Sequence, residues 1–250
     1  MGWKQNVTVL ILVYGIVPFL ISCSEGGNSE RMAPVDNVVD TVSVPRDTLT
    51  YLALGDSYTI GESVAERDRW PVQLTREFNQ SDWKVVIGDP EIIAQTGWTT
   101  QELKSAIDKR IIAKDYDLVS LLIGVNNQYR GYPLEDYPAE FETLLNMAIS
   151  FAGNQASKVF VVSIPDYGYT PFGAGNQQKI SEEIDAYNEI NRRISSEKAV
   201  KYFDITAISR EGLQDPTLVA PDRLHPSGRQ YRRWVQKIME DASFATLFNL

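Results

Sequence analysis

The chain has 250 residues, 43% of them apolar, enough to bury one substantial core with nothing in the length that demands a second. A formal net charge of −9, without clustered Lys and Arg, argues against a nucleic-acid partner, whose phosphates reward basic patches. A single cysteine excludes an intramolecular disulfide, and a single histidine leaves a zinc hydrolase only an unusual all-carboxylate site, so no metal is expected.

The first residues, MGWKQNVTVLILVYGIVPFLISC, hold one Lys and then an apolar run from Val7 to Ile21. That run is shorter than the roughly 20 residues of a membrane-spanning helix and reads as a signal peptide over residues 1–22. Leu20-Ile21-Ser22-Cys23 resembles a bacterial lipoprotein box, in which the cysteine becomes the lipidated first residue of the mature protein. The resemblance implies a lipid on Cys23 and a place in the bacterial cell envelope, periplasmic or surface-exposed, anchored to the membrane. Residues 23–48 are polar, with Gly, Pro and acidic residues and no sustained period, as expected of a flexible tether.

In the body, residues 49–250, short apolar runs rich in β-branched residues alternate with longer segments of helical period. Strands are expected at Thr50–Gly55, within Lys84–Ile93, and at Leu118–Ile123, Lys158–Ile164 and Val200–Phe203. Helices are expected in RWPVQLTREFNQ, TTQELKSAIDKRIIAK, PAEFETLLNMAISFAG and NQQKISEEIDAYNEINRRISSEK, with a last one after Ser227. This alternation predicts an α/β fold, a three-layer α/β/α sandwich around a parallel sheet. Ligands of such sheets bind beyond the carboxyl ends of the strands. There the chain places Gly-Asp-Ser57, then Gln95-Thr96-Gly97, Gly124-Val125-Asn126-Asn127 and Pro165-Asp166-Tyr167.

Ser57 is either a cap where a strand hands over to a helix or a nucleophile raised on that turn. A serine hydroxyl needs a base to take its proton, and the one histidine, His225, lies in APDRLHPSGRQ with Asp222 three residues before it. That spacing lets a carboxylate reach the imidazole and set its tautomer, as in a Ser-His-Asp triad. Backbone amides at Ser57 and Gly97, with the side-chain amide of Asn126, come from adjacent strand ends and could receive an oxyanion. Taken singly, each has a plainer reading as a turn glycine, a loop Asn or an exposed His. FGAGNQ lacks the third glycine of a dinucleotide loop, and no phosphate-cradling Gly-x-x-x-x-Gly-Lys stretch occurs.

In order along the chain, GDSY, QTGWTT, GVNN and DRLHPS resemble the four motif blocks of the SGNH (GDSL-type) hydrolases, over roughly four-fifths of its length. The resemblance implies a flavodoxin-like fold and hydrolysis of esters or thioesters through an acyl-enzyme, without a cofactor. It implies Ser57, Asp222 and His225 as the triad and Ser57, Gly97 and Asn126 as the oxyanion hole. Two residues depart from the common pattern: Asn127 stands where the third block usually has an acid, and Tyr58 where the first usually has Leu.

The expected partner is a small-molecule, glycan or lipid ester. Tyr58, Trp98, Asn127, Tyr129 and Tyr167 are candidate substrate contacts, with Tyr132, Tyr169 and Phe172 close to them in sequence. Such aromatics suit an acetylated sugar by stacking or a lysophospholipid or thioester by lining an acyl channel. The alternative to an esterase is a non-catalytic binding or scaffold lipoprotein that retains the fold.

Overall fold

Tyr51–Gly55 (β2) is buried at every position, the continuous apolar run of a strand covered on both faces. In the computed structural model, which describes residues 47–248, it lies inside a five-stranded parallel sheet. The expected signal peptide, Cys23 and the tether up to residue 46 lie outside the described residues. The sheet's order is Glu91–Ala94 (β4), β2, Leu118–Leu122 (β5), Val159–Val162 (β6) and Lys201–Phe203 (β7). This is the flavodoxin-like order, in which the chain first steps to one side of its first central strand and then returns to the other. Register aligns Gly55 with Ala94 on one side and Leu122 on the other, so three strand ends open at one level beside that reversal.

Helices cover both faces, as right-handed crossovers require. Trp70–Gln80 (α2) packs against Gly228–Glu240 (α8), while Thr100–Asp108 (α3), Tyr137–Phe151 (α5) and Gln177–Glu197 (α6) pack side by side. Trp70 meets Phe160 of β6 edge-on at 6.2 Å, and Tyr137 meets Tyr187 at 4.4 Å between α5 and α6. Ser227 caps α8 by accepting from the Gln230 amide, and Tyr231, Trp234, Val235 and Ile238 form the helix's buried stripe. Short helices Ser57–Ile60 (α1), Val125–Tyr129 (α4) and Thr206–Ser209 (α7) follow β2, β5 and β7.

Three boundaries differ from the sequence reading. Lys84–Ile93 divides at Gly88-Asp89-Pro90: Val85–Ile87 (β3) pairs with Asp47–Leu49 (β1) in a separate parallel sheet, and only β4 joins the main one. Proline has no N–H to give a central ladder. β1 starts inside the stretch read as tether, because Asp47 and Thr48 pair with Val85 and Val86. Finally, α3 ends at Asp108 rather than Lys114, and Ile111 is fully exposed, so IIAK adds no turn to the helix's apolar face.

Candidate active site

The turn from β2 into α1 is tight. A Cβ on Gly55 would lie 2.2 Å from Thr59 Oγ1 and 2.5 Å from the Leu122 carbonyl, so only glycine permits this approach. Asp56 caps α1, its Oδ1 accepting from the Tyr58 amide at 3.0 Å. Complete burial pushes its carboxyl up to about 7, against the pull of the Tyr58, Asp56 and Gly124 amides. Among the described residues its Oδ2 has no hydrogen-bond partner. Ser57 follows as the first residue of α1, where a backbone N–H has no intrahelical acceptor.

The next loop is clamped from outside. Gly97 has φ +86°, a left-handed conformation that favours glycine, and its carbonyl accepts from Arg130 Nη2 at 2.6 Å. Arg130 also pairs with Glu102 at 3.2 Å, and Glu102 closes the capping box of α3 with Thr99. Asn126, on α4, donates Nδ2 to the Trp98 carbonyl at 3.0 Å and so ties the β4 and β5 loops together.

From the last loop comes the imidazole. His225 Nδ1 and Asp222 Oδ2 are 2.6 Å apart, and Asp222 Oδ1 accepts from the Leu224 and His225 amides, each at 3.0 Å. Ser63 Oγ donates to the same Oδ2 at 2.6 Å. Burial works against the carboxylate, but hydrogen bonds from Ser63, the Leu224 amide and His225 outweigh it and hold the group at about 2. Tyr58 packs edge-on against the His225 ring at 5.8 Å.

Ser57, Gly97, Asn126 and His225 therefore face one cavity of about 240 Å³, with Tyr58, Tyr129 and Tyr167 also in its wall. Phe172 completes the wall; its amide donates to the Arg223 carbonyl at 3.1 Å, which joins the aromatic loop to the His225 loop. Asp166 holds that aromatic loop from beneath, accepting from Arg210 at 2.9 Å and from Ser181 at 2.7 Å.

Two expected substrate contacts fall elsewhere. Asn127 is 2% exposed and fully engaged: its Oδ1 accepts from the Thr100 amide, and its Nδ2 donates to Thr100 Oγ1 and Glu140. It joins α4 to α3 and α5, which an acid facing Glu140 could not do. Trp98 leaves the cavity because its side chain packs on the core and lines a separate depression beside Glu102 and Arg110. Tyr132 and Tyr169 also lie outside the wall. Sequence reasoning missed Ser63 and Arg130. Arg130 had a signal, since it follows Asn126 by one helical turn and faces the acid of a capping box; Ser63 had none, being 159 positions from Asp222.

Residues 53–233 match the GDSL-like lipase/acylhydrolase family. An acetylxylan esterase from Geobacillus stearothermophilus is 27% identical over 140 residues, which is 53% of this chain and 62% of that protein. The chain thus aligns with about three-fifths of that relative's length. Among solved structures, Axe2, an acetylxylan esterase from the same organism, superposes with a TM-score of 0.58 at 20% identity over 78% of this chain and 94% of that one. The lipase Lip_vut3 from a goat rumen metagenome gives 0.64 at 17% identity over 79% and 99%. At these identities the structural likeness speaks for the fold alone. The family match covers most of the chain and every strand-end motif gathered at the cavity, and the chain belongs to the GDSL-like lipase/acylhydrolase family, the SGNH hydrolases.

Proposed function

We propose that the protein hydrolyses esters of short carboxylic acids through an acyl-enzyme on Ser57. Asp222 holds His225 by Nδ1, which leaves Nε2 as the nitrogen free to take the serine proton. Ser57 Oγ attacks the ester carbonyl, His225 accepts the hydroxyl proton, and the carbonyl electrons move onto oxygen. The Ser57 and Gly97 amides and Asn126 Nδ2 receive that oxyanion. Collapse expels the alcohol, protonated by His225; a water then attacks the acyl-enzyme by the same route, releases the acid and restores Ser57.

The observation that carries this reading is the meeting of Ser57, Gly97, Asn126 and His225 on one cavity, from four separate loops. Two hydrogen bonds support it by orienting the donors in advance: Arg130 on the Gly97 carbonyl, and the bond from Asn126 itself to the Trp98 carbonyl. A short acyl group suits the size of the cavity. The cavity of about 240 Å³ is smaller than the roughly 300–1,000 Å³ of clefts that enclose a drug-sized ligand. Replacement of Ser57 by Ala should leave the fold intact and abolish turnover of 4-nitrophenyl acetate. Retained turnover in purified Ser57→Ala protein would remove the serine from the mechanism.

A further inference from the structure

Beyond the aromatic wall lies a second cavity of about 460 Å³. The two share Tyr129, Tyr167 and Phe172, whose ring centroids stand 6.1–6.3 Å apart, so the aromatics form a partition with the reaction on one side. Tyr129 and Phe172 are 59% and 52% exposed, large apolar faces left in water at the lip of the site. Opposite them the wall changes character: it is made by Gln128, Asn176, Lys179 and Glu183. These polar groups are partly organised already. Gln128 Nε2 donates to Glu183 Oε2 at 2.7 Å, and Lys179 lies 3.8 Å from Glu183 Oε1.

An ester has two ends. The small cavity at Ser57 suits a short acyl group, and the groove that shares its aromatic wall is the adjoining space open to the alcohol portion. A fatty chain suits this groove poorly, since its polar wall would lose water and gain no hydrogen bond. A saccharide suits it on both sides. The C–H face of a pyranose covers an aromatic ring, and its hydroxyl edge both donates to and accepts from carboxylate, amide and ammonium groups. We infer that this groove is a saccharide subsite, and that the substrate is an O-acylated glycan whose neighbouring sugar lies between Tyr129 and Phe172 on one side and Asn176, Lys179 and Glu183 on the other.

The inference rests on the esterase reading for the acyl end, but direct binding tests it separately. Calorimetry of the whole protein with unacetylated xylo-, manno- and chito-oligosaccharides should show binding by at least one of them. Lys179→Ala and Asn176→Ala, both exposed and remote from Ser57, should each weaken that binding about tenfold. With the O-acetylated form of the same oligosaccharide, the ratio of its kcat/KM to that for 4-nitrophenyl acetate should fall by a similar factor, through KM. Absence of binding across the panel, an unchanged ratio in both variants, or losses confined to long-chain acyl esters would overturn the subsite. Failure of the wild-type protein to cleave 4-nitrophenyl acetate would count against the esterase reading instead, with the binding result still deciding the groove.

Discussion

Ser63 shows how much of the site depends on residues outside the cavity wall. It sits at φ +64°, a conformation few residues other than glycine adopt without strain, and from there its hydroxyl reaches Asp222 Oδ2. That oxygen also holds His225, so Ser63 steadies the carboxylate that holds the imidazole. Ser63→Ala should lower kcat by roughly 2–10-fold with little change in KM, about the worth of one hydrogen bond. It should also raise the Asp222 carboxyl from its low value, because one of the hydrogen bonds that lowers it is gone. Ser63→Gly should match the alanine variant in kcat and exceed it in melting temperature, because glycine relieves the backbone strain. Wild-type kcat in both variants would reduce Ser63 to a loop residue. The meeting of Ser57 and His225 on one cavity, with Asp222 on the imidazole, was legible in the sequence because each lies in a short local motif at a strand end or ahead of a helix. Trp98 and Asn127 were misread because adjacency along the chain says nothing of where a side chain points.

At the scale of elements, the turn from β2 to α1 joins the proposed nucleophile to the stability of the fold. Asp56 caps the helix that presents Ser57, yet it is completely buried and its carboxyl is pushed up to about 7. Between the ordinary value of 3.8 and about 7, the folded chain keeps a proton that the unfolded chain has lost. Stability from this group therefore falls as pH rises through that window. Asp222 works in the opposite sense: its contribution is present above 3.8 and is lost as pH falls toward about 2. Asp56→Asn cannot ionise, so the drop in denaturation midpoint between about pH 5 and about pH 8 should be smaller in this variant than in the wild-type protein. Equal drops in the two proteins would show that Asp56 does not carry the buried charge. Strand positions were legible from apolar runs. The division at Gly88-Asp89-Pro90 and the early end of α3 were not, since local apolar content continues past both and pairing and exposure decide them.

For the whole molecule, alternation of strand and helix made the sandwich legible, and the sheet order explains why four distant motifs meet. Strand ends at Gly55, Ala94 and Leu122 stand level, and the chain reverses between β2 and β5, so Ser57, Gly97 and Asn126 emerge together. His225 arrives from the other end of the chain, on the loop that leads into α8. What no linear reading supplied is the division of the surface into a small cavity and a larger groove, because that partition needs Tyr129 at the end of α4 brought against Tyr167 and Phe172 of the loop between β6 and α6. The central claim is that this convergence makes Ser57, alone among the serines, a nucleophile. Labelling the protein with a fluorophosphonate and mapping the adduct by peptide mass spectrometry tests it most directly. The account predicts one labelled residue, Ser57, formed with loss of ester turnover, and much slower labelling in His225→Ala. Labelling of a different serine, or rapid labelling of Ser57 in the absence of the histidine, would contradict it.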